Sequence, residues 1–271
     1  MRGKELSAAL RSGKRVYGTC AVSPSPAWPS MMAGTGMDYV FIDTEHISLA
    51  RETLSWMCRT FDALNIAPIV RIPEPDPYRA CMVLDGGAHG IIAPYVESIE
   101  QVMAMRGAVK LRPLKGKRLD AVLKGDEVPN EETGAYLAER NADRVMIVNI
   151  ESTPALAALD RILAVPGLDA VLVGPHDLSI SLGIPEQYSH PTFQEAITTI
   201  ITKARKASVG VGIHYSEAID QEIAWAKQGA NFIVHSSDFA IVAQTLKADF
   251  ARFRKEMGDT GTGAAGGPEA I

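Results

Sequence analysis

Two stretches decide the fold: RVMIVNIE at Arg144–Glu151, and AVLVG at Ala170–Gly174 running on into PHD at 175–177. Each is a nearly unbroken apolar run followed at once by polar residues. Between them Ala155–Ala164 carries apolar residues at three- and four-residue spacing. A run of this kind reads as a strand buried on both faces, and a helix between two such strands is the crossover that makes them parallel. Working outward, the same alternation recurs. Further strand candidates are Val16–Val22, Tyr39–Asp43, Ala67–Arg71, Gly90–Ala93, Gly210–His214 and Asn231–His235, which brings the total to eight. Helical patterns fall at Leu49–Leu64, Pro77–Gly86, Ile99–Val109, Thr192–Ala207, Glu217–Gln228 and Phe239–Met257.

Eight β-then-α units in 271 residues predict an α/β protein built as a closed (β/α)8 barrel, a single domain over residues 1–257. A doubly wound open sheet would normally carry a glycine-rich turn after its first strand, and SPSPAWPS at 23–30 has no glycine. Lys4–Ser12 reads as a short helix able to plug the barrel bottom. Leu111–Glu132 reads as a polar loop, and residues 258–271, GDTGTGAAGGPEAI, as a flexible tail. The G-x-G-x-x-G match at Gly261, Gly263 and Gly266 is set aside, because no strand precedes it and no helix follows.

Composition narrows the function. A net charge of −5 disfavours nucleic acid and anionic membranes as partners, since both need a basic face. Cys20, Cys58 and Cys81 have no disulfide or zinc spacing and read as reduced thiols. The N-terminal residues lack the apolar core of a signal peptide, and no apolar run approaches the roughly 20 residues of a membrane span. A soluble, cytoplasmic protein is expected.

Ionisable residues close the apolar runs. FID ends in Asp43, with Glu45 and His46 just beyond; PIVR ends in Arg71; MIVNIE ends in Glu151, two residues after Asn149; VLVGPHD ends in Asp177; GIH and FIVH end in His214 and His235. These are C-terminal strand ends, where such barrels hold their chemistry. Buried charges cost several kcal/mol unless paired or metal-bound. An inert rim of ion pairs is the competing reading. Glu151 and Asp177 close neighbouring strands, and two adjacent carboxylates repel unless a proton or a cation lies between them. Oxygen-only ligation favours Mg2+ or Mn2+ over zinc, other divalent metals remaining open. A glycosidase pair would call for sugar-stacking aromatics, yet Trp28, Trp56 and Trp225 fall on helical segments or their starts. Asp43 and His46 form an Asp-x-x-His turn in which the carboxylate can orient the ring as a general base. Arg71 can hold a carboxylate or a developing oxyanion. Backbone N–H groups at Gly174, Pro175, His176 and Asp177, less the proline's, can cradle an anion. No lysine ends a strand, which leaves Schiff-base chemistry without its amine.

YVFIDTEH, VRIP, VLDGGAHGIIAPYVES, IVNIES, LDAVLVGPHDLSISLG and WAKQGANFIV together resemble the HpcH/HpaI aldolases, class II pyruvate aldolases that depend on a divalent metal. The likeness runs from about Tyr17 to Phe253. It implies a (β/α)8 barrel whose last helix is exchanged between partners, usually in hexamers. It implies that Glu151 and Asp177 ligate the metal, that Arg71 contacts the keto oxygen of a 2-oxo acid, and that His46, backed by Asp43, is the base. The 174–177 backbone would receive the substrate carboxylate, with Asn149 near the metal. The expected reaction cleaves or forms 4-hydroxy-2-oxo acids, giving pyruvate or a similar 2-oxo acid plus an aldehyde. The chain departs from the family pattern at Cys20, at the LRPLKGKRLDA insert, and at His176, His214 and His235, the last two read as candidates for the acceptor side. Two alternatives stay open. One uses the same centre for oxaloacetate decarboxylation or citrate-synthase-like condensation with a thioester. The other is a regulatory barrel that binds the metal and oxo acid without turnover.

Overall fold

The structure, a computed structural model, describes residues 1–259. Its elements run α1 (Gly3–Ser12), β1 (Val16–Cys20), α2 (Trp28–Ala33), β2 (Tyr39–Asp43), α3 (Arg51–Ala63), β3 (Ala67–Arg71), α4 (Pro77–Gly86), β4 (Gly90–Ala93), α5 (Ile99–Lys110), α6 (Gly116–Lys124) and α7 (Glu131–Arg140). They continue with β5 (Val145–Asn149), α8 (Thr153–Ala157), α9 (Leu159–Leu163), β6 (Ala170–Val173), α10 (Pro175–Ser181), α11 (Pro191–Lys206), β7 (Gly210–Tyr215), α12 (Ile219–Gln228), β8 (Phe232–Ser237) and α13 (Asp238–Met257). Among the described residues eight parallel strands close into a barrel in chain order, β8 pairing with β1.

The expected (β/α)8 barrel is therefore present, and parity explains its two cores. Along each strand one set of side chains points in and the alternate set points out against the helices. The inward set, including Tyr39, Phe41, Ile69, Ile92, Ile147, Leu172, Phe232 and Val234, forms one buried cluster with Leu6, Ala9 and Leu10 of α1. The N-terminal helix thus floors the barrel as its sequence suggested. The outward set joins the helices in a second, larger core. Two glycines in β7 make room for this filling: a Cβ on Gly212 would sit 2.2 Å from the Phe232 carbonyl oxygen, and one on Gly210 would sit 3.0 Å from Leu10.

Three expectations are corrected. The 111–132 insert is not a loop throughout, since it holds α6 and the start of α7; Leu119 and Leu123 of α6 pack over Gly107 of α5. The single helix read at Ala155–Ala164 breaks at Ala158 into α8 and α9. β5 and β6 end at Asn149 and Val173, so Glu151 lies just past its strand and Asp177 in the first turn of α10. The part of the expected tail beyond Asp259 lies outside the described residues. No helix among the described residues is long and apolar enough to cross a membrane.

Leu10 is fully buried where α1 closes the barrel. Leu10→Ala should lower stability by about 2–5 kcal/mol. The check is urea denaturation, with a lower midpoint at unchanged slope.

Candidate active site

The inward parity that builds the floor also fills the mouth. Beyond Tyr39 and Phe41 on β2 the next inward residue is Asp43; beyond Ala67 and Ile69 on β3 it is Arg71; beyond Val145 and Ile147 on β5 it is Asn149, with Glu151 after it. Asp43 and Arg71 are register partners on neighbouring strands. Arg71 Nε donates to Asp43 Oδ1 at 2.8 Å and Arg71 Nη2 donates to Oδ2 at 2.6 Å, a two-pronged ion pair in the barrel interior. Burial would raise the Asp43 carboxyl, but the hydrogen bonds and charge of Arg71 outweigh it and hold the group below the usual carboxylate range. The Arg71 guanidinium also lies 3.1 Å from Glu45 Oε2 and 5.3 Å above the centre of the Phe41 ring. Its Nη1 has no acceptor among the described residues and is the donor left for a ligand.

The expected support of His46 by Asp43 is not what the structure builds. Both Asp43 oxygens are engaged by Arg71, and Oδ1 also accepts the Glu45 N–H at 2.9 Å. Asp43 ends its strand facing inward, whereas His46 lies three residues further on and is half-exposed. The carboxylate nearest the ring is that of Glu45, with Oε1 3.7 Å from His46 Nε2.

On the other side of the mouth, Glu151 is buried and held at both oxygens. Oε1 accepts the Tyr95 N–H at 2.6 Å and Oε2 accepts from Asn149 Nδ2 at 2.7 Å. Burial raises the Glu151 carboxyl; these two hydrogen bonds oppose the rise, and the nearby Asp177 and Glu45 carboxylates add to it. Gly174 stands between the two acids. The point where a side chain would begin there is 3.0 Å from Glu151 Oε2 and 3.4 Å from Asp177 Oδ2. The missing Cβ leaves a small space faced by both carboxylates. Asn149 Oδ1 is buried without a partner among the described residues. A cleft of about 360 Å³ opens over this point, lined by Tyr95, Glu97, Glu151, Ser152, Asp177, Ile180 and Ser181.

These residues fit a hard dication. Two carboxylates of raised mutual repulsion and an orphaned amide oxygen are all oxygen donors. Among the described residues no three His, Cys, Asp or Glu side chains are grouped to hold a metal, so a cation here would complete its shell with water and substrate oxygens, as Mg2+ commonly does.

The remaining histidines separate. His214 lies inside the barrel near the mouth, its Nε2 3.1 Å from the Ser236 carbonyl and its ring edge-on to Phe41. A carbonyl only accepts, so Nε2 carries the proton. Burial, joined by the positive charge of Arg71, pushes His214 down to about 4 against the pull of the Ser236 carbonyl. His235 is a correction. Phe232 and Val234 point inward, so His235 points out of the barrel, where its Nδ1 lies 2.7 Å from Glu222 Oε2 on α12. It belongs to a larger groove of about 900 Å³ between α2, α12 and the start of α13, which is lined by neither Glu151 nor Asp177. His176 is exposed on α10, 3.5 Å from Glu186. Glu45 drew notice in the sequence only as a neighbour of Asp43, and Tyr95 drew none. The signal for Tyr95 was faint: a tyrosine directly after IIAP, two residues past the end of β4.

A family model described as HpcH/HpaI aldolase/citrate lyase matches residues 21–244. The hydroxypyruvate/pyruvate aldolase of Roseovarius nubinhibens is 29% identical over 93% of this chain and 97% of its own. A 2-keto-3-deoxy-L-rhamnonate aldolase of Salmonella gallinarum is 30% identical over 90% of this chain and 91% of its own. Among solved structures, an HpcH/HpaI aldolase from Desulfitobacterium hafniense superposes with a TM-score of 0.79 at 28% identity, covering 93% of this chain and 96% of that one.

His214 gives a pH test of this geometry. Its depressed value means that the unfolded chain takes up a proton below about pH 6.5 while the folded protein does not until about pH 4. Stability should fall across that window as pH drops. His214→Gln, which retains a donor for Ser236, should flatten the fall, measured as melting temperature against pH.

Proposed function

The chain belongs to the HpcH/HpaI aldolase/citrate lyase family, and from that premise and the mouth geometry we propose that it is a divalent-metal-dependent aldolase, a carbon–carbon lyase that splits 4-hydroxy-2-oxo acids into pyruvate, or a similar 2-oxo acid, and an aldehyde. One observation carries the reading: Glu151 and Asp177 face a common space beside Gly174, with no protein cation between them among the described residues. The relatives support the substrate class, since a 2-keto-3-deoxy acid carries its first hydroxyl at C4.

In this reading Glu151 and Asp177 hold Mg2+ or Mn2+, and Asn149 Oδ1 accepts a hydrogen bond from water beside it. When bound, the dication supplies Lewis-acid polarisation of the 2-oxo group. Arg71 Nη1 donates to the keto oxygen and stabilises the negative charge that arrives there as the C3–C4 bond breaks. Asp43 keeps the guanidinium aimed and charged, because Arg71 cannot turn away without abandoning two buried hydrogen bonds. His46, at the rim, takes the C4 hydroxyl proton, directly or through water. Backbone N–H groups at the start of α10 face the substrate carboxylate. The apolar floor below keeps water from the reacting carbon.

Chelation by EDTA should abolish pyruvate release, and Mg2+ or Mn2+ should restore it. Glu151→Ala and Asp177→Ala should each cut kcat by at least a hundredfold in a pyruvate-release assay over 4-hydroxy-2-oxo acids. Borohydride with substrate should leave the enzyme active. Covalent trapping, or full activity in both variants, would sink the proposal.

The same reading includes self-association. α13 lies almost wholly exposed and presents Phe239, Leu246, Phe250, Phe253 and Met257 to solvent. The 900 Å³ groove, with Met31, Met32, Ile219 and Ile223 on its walls, lies uncovered beside it. A last helix exchanged between copies would cover both surfaces, and a hexamer is the form the family resemblance implies. Light scattering should give an oligomeric mass, and the double variant Phe250→Asp with Phe253→Asp should lower it.

A further inference from the structure

His214 holds one ring atom that the fold does not use. Parity along β7 sends Gly210, Gly212 and His214 into the barrel: a Cβ on Gly210 would meet Leu10 of the floor, and one on Gly212 would meet Phe232. Two contacts fix the imidazole. Its Nε2 donates to the Ser236 carbonyl at 3.1 Å, and that carbonyl also accepts from Thr19 Oγ1 at 3.3 Å. Its plane stands at 88° to the Phe41 ring, with the ring centres 5.3 Å apart. A neutral imidazole protonated at Nε2 carries a lone pair on Nδ1, and no donor among the described residues reaches it. Phe41, Phe232 and Val234 beneath are fully buried, whereas His214 is only partly buried, so the ring opens upward to the mouth.

Phe41 connects this nitrogen to the reacting centre. The Arg71 guanidinium also lies 5.3 Å from the centre of the Phe41 ring, so Arg71 and His214 border one another across a single aromatic side chain. With the keto oxygen of a 2-oxo acid at Arg71 and its carboxylate at the start of α10, the carbons beyond C4 face the arc of β7, β8 and β1. No lysine or arginine lies on those three strands. Asp238, the carboxylate just after β8, already accepts from the Val22, Ser23 and Phe239 N–H groups.

We propose that His214 is a specificity-determining residue for the aldehyde fragment: its unprotonated Nδ1 accepts a hydrogen bond from a hydroxyl on C5 of the 4-hydroxy-2-oxo acid, the carbon next to the aldehyde carbon. This rests on the aldolase reading and deepens it by naming the group that reads the departing aldehyde. A C5 hydroxyl is a donor for the lone pair. A methyl group there offers nothing to it, and a carboxylate sets lone pair against lone pair with no cation on that arc to compensate. His214 transfers no proton, and burial keeps its ring neutral at ordinary pH.

The test uses three substrates with C4 in the same spatial arrangement and C5 alone changed: 4,5-dihydroxy-2-oxopentanoate, 4-hydroxy-2-oxopentanoate and 4-hydroxy-2-oxopentanedioate. Cleavage of C3–C4 leaves the electron pair on C3 of the 2-oxo fragment, which takes up a proton to give pyruvate. The C4 hydroxyl loses its proton, and glycolaldehyde, acetaldehyde or glyoxylate departs. Wild-type kcat/KM for the dihydroxy acid should exceed that for each of the other two about tenfold. In His214→Leu, which has no acceptor, the preference over the methyl substrate should fall to within about twofold of unity. His214→Gln, which offers an amide oxygen and retains a donor for Ser236, should hold a preference above that of the leucine variant. In the free protein the imidazole nitrogen resonances, assigned by their loss in His214→Gln, should show Nε2 protonated and Nδ1 bare.

A wild type indifferent to the C5 group overturns the inference. So does a preference that survives His214→Leu, and so does an equal loss on all three substrates, which marks a purely structural role. If His214→Leu does not fold, the glutamine variant and the wild-type preference decide, and a wild type that prefers the methyl or the carboxylate substrate overturns the inference. Wild-type enzyme inactive on all three sinks the aldolase reading instead. The resonances then judge the acceptor independently of activity, and a ring protonated at Nδ1 overturns it.

Discussion

The organising constraint is an excess of negative charge at the barrel mouth, where Glu151 is buried and Asp177 is exposed. Glu45, Glu151 and Asp177 crowd one mouth, and the cation set among them, Arg71, is already committed to Asp43 by two short hydrogen bonds. A buried carboxylate without a counter-charge costs several kcal/mol, and a neighbouring like charge adds to the cost. A protein can answer by protonating one group or by recruiting a cation. The missing Cβ at Gly174 favours the second answer, because it leaves room where the two acids converge. The partnerless Asn149 oxygen adds a third oxygen donor near that room.

The charges are also ordered around the barrel. Asp43, Glu45 and His46 follow from β2, Arg71 from β3, Tyr95 from β4, Asn149 and Glu151 from β5, and Asp177 from the turn after β6, one unbroken arc of neighbouring strands. The opposite arc, β7, β8 and β1, presents the neutral His214, Ser236 and Cys20. Burial with the Asp43 charge pushes the Cys20 thiol up, so it stays protonated, and burial keeps His214 uncharged. The charge on that side is buried Asp238, which follows β8 and is taken up by the Val22 and Ser23 N–H groups just past β1.

Much of this was legible in the chain, because strand parity and apolar continuity are local properties. Eight apolar runs predicted eight strands, and the inward positions of β2, β3 and β5 project from their sequences directly to Asp43, Arg71 and Asn149. What remained hidden depends on geometry between elements. Asp-x-x-His looks like an orienting pair when only spacing is considered, yet register places Asp43 opposite Arg71, and a salt bridge across strands outcompetes the loop histidine. His235 looks like an acceptor-side group at a strand end until parity is counted from Phe232 and Val234, which sends it outward to Glu222. α6 hides in a lysine-rich insert because its apolar stripe is only Leu119 and Leu123, too short to stand out without the facing Gly107.

Tyr95 is the clearest case of local structure that spacing cannot reveal. Its residue type is ordinary, its neighbours are apolar, and its importance comes from a backbone twist that no run of letters displays. The strain is informative. A tyrosine held at positive φ would relax unless its amide were needed where it is, and the amide donates to the buried Glu151 carboxylate. The strain at residue 95 is thus tied to the charge excess after β5, where the buried Glu151 carboxylate takes the Tyr95 amide as a donor.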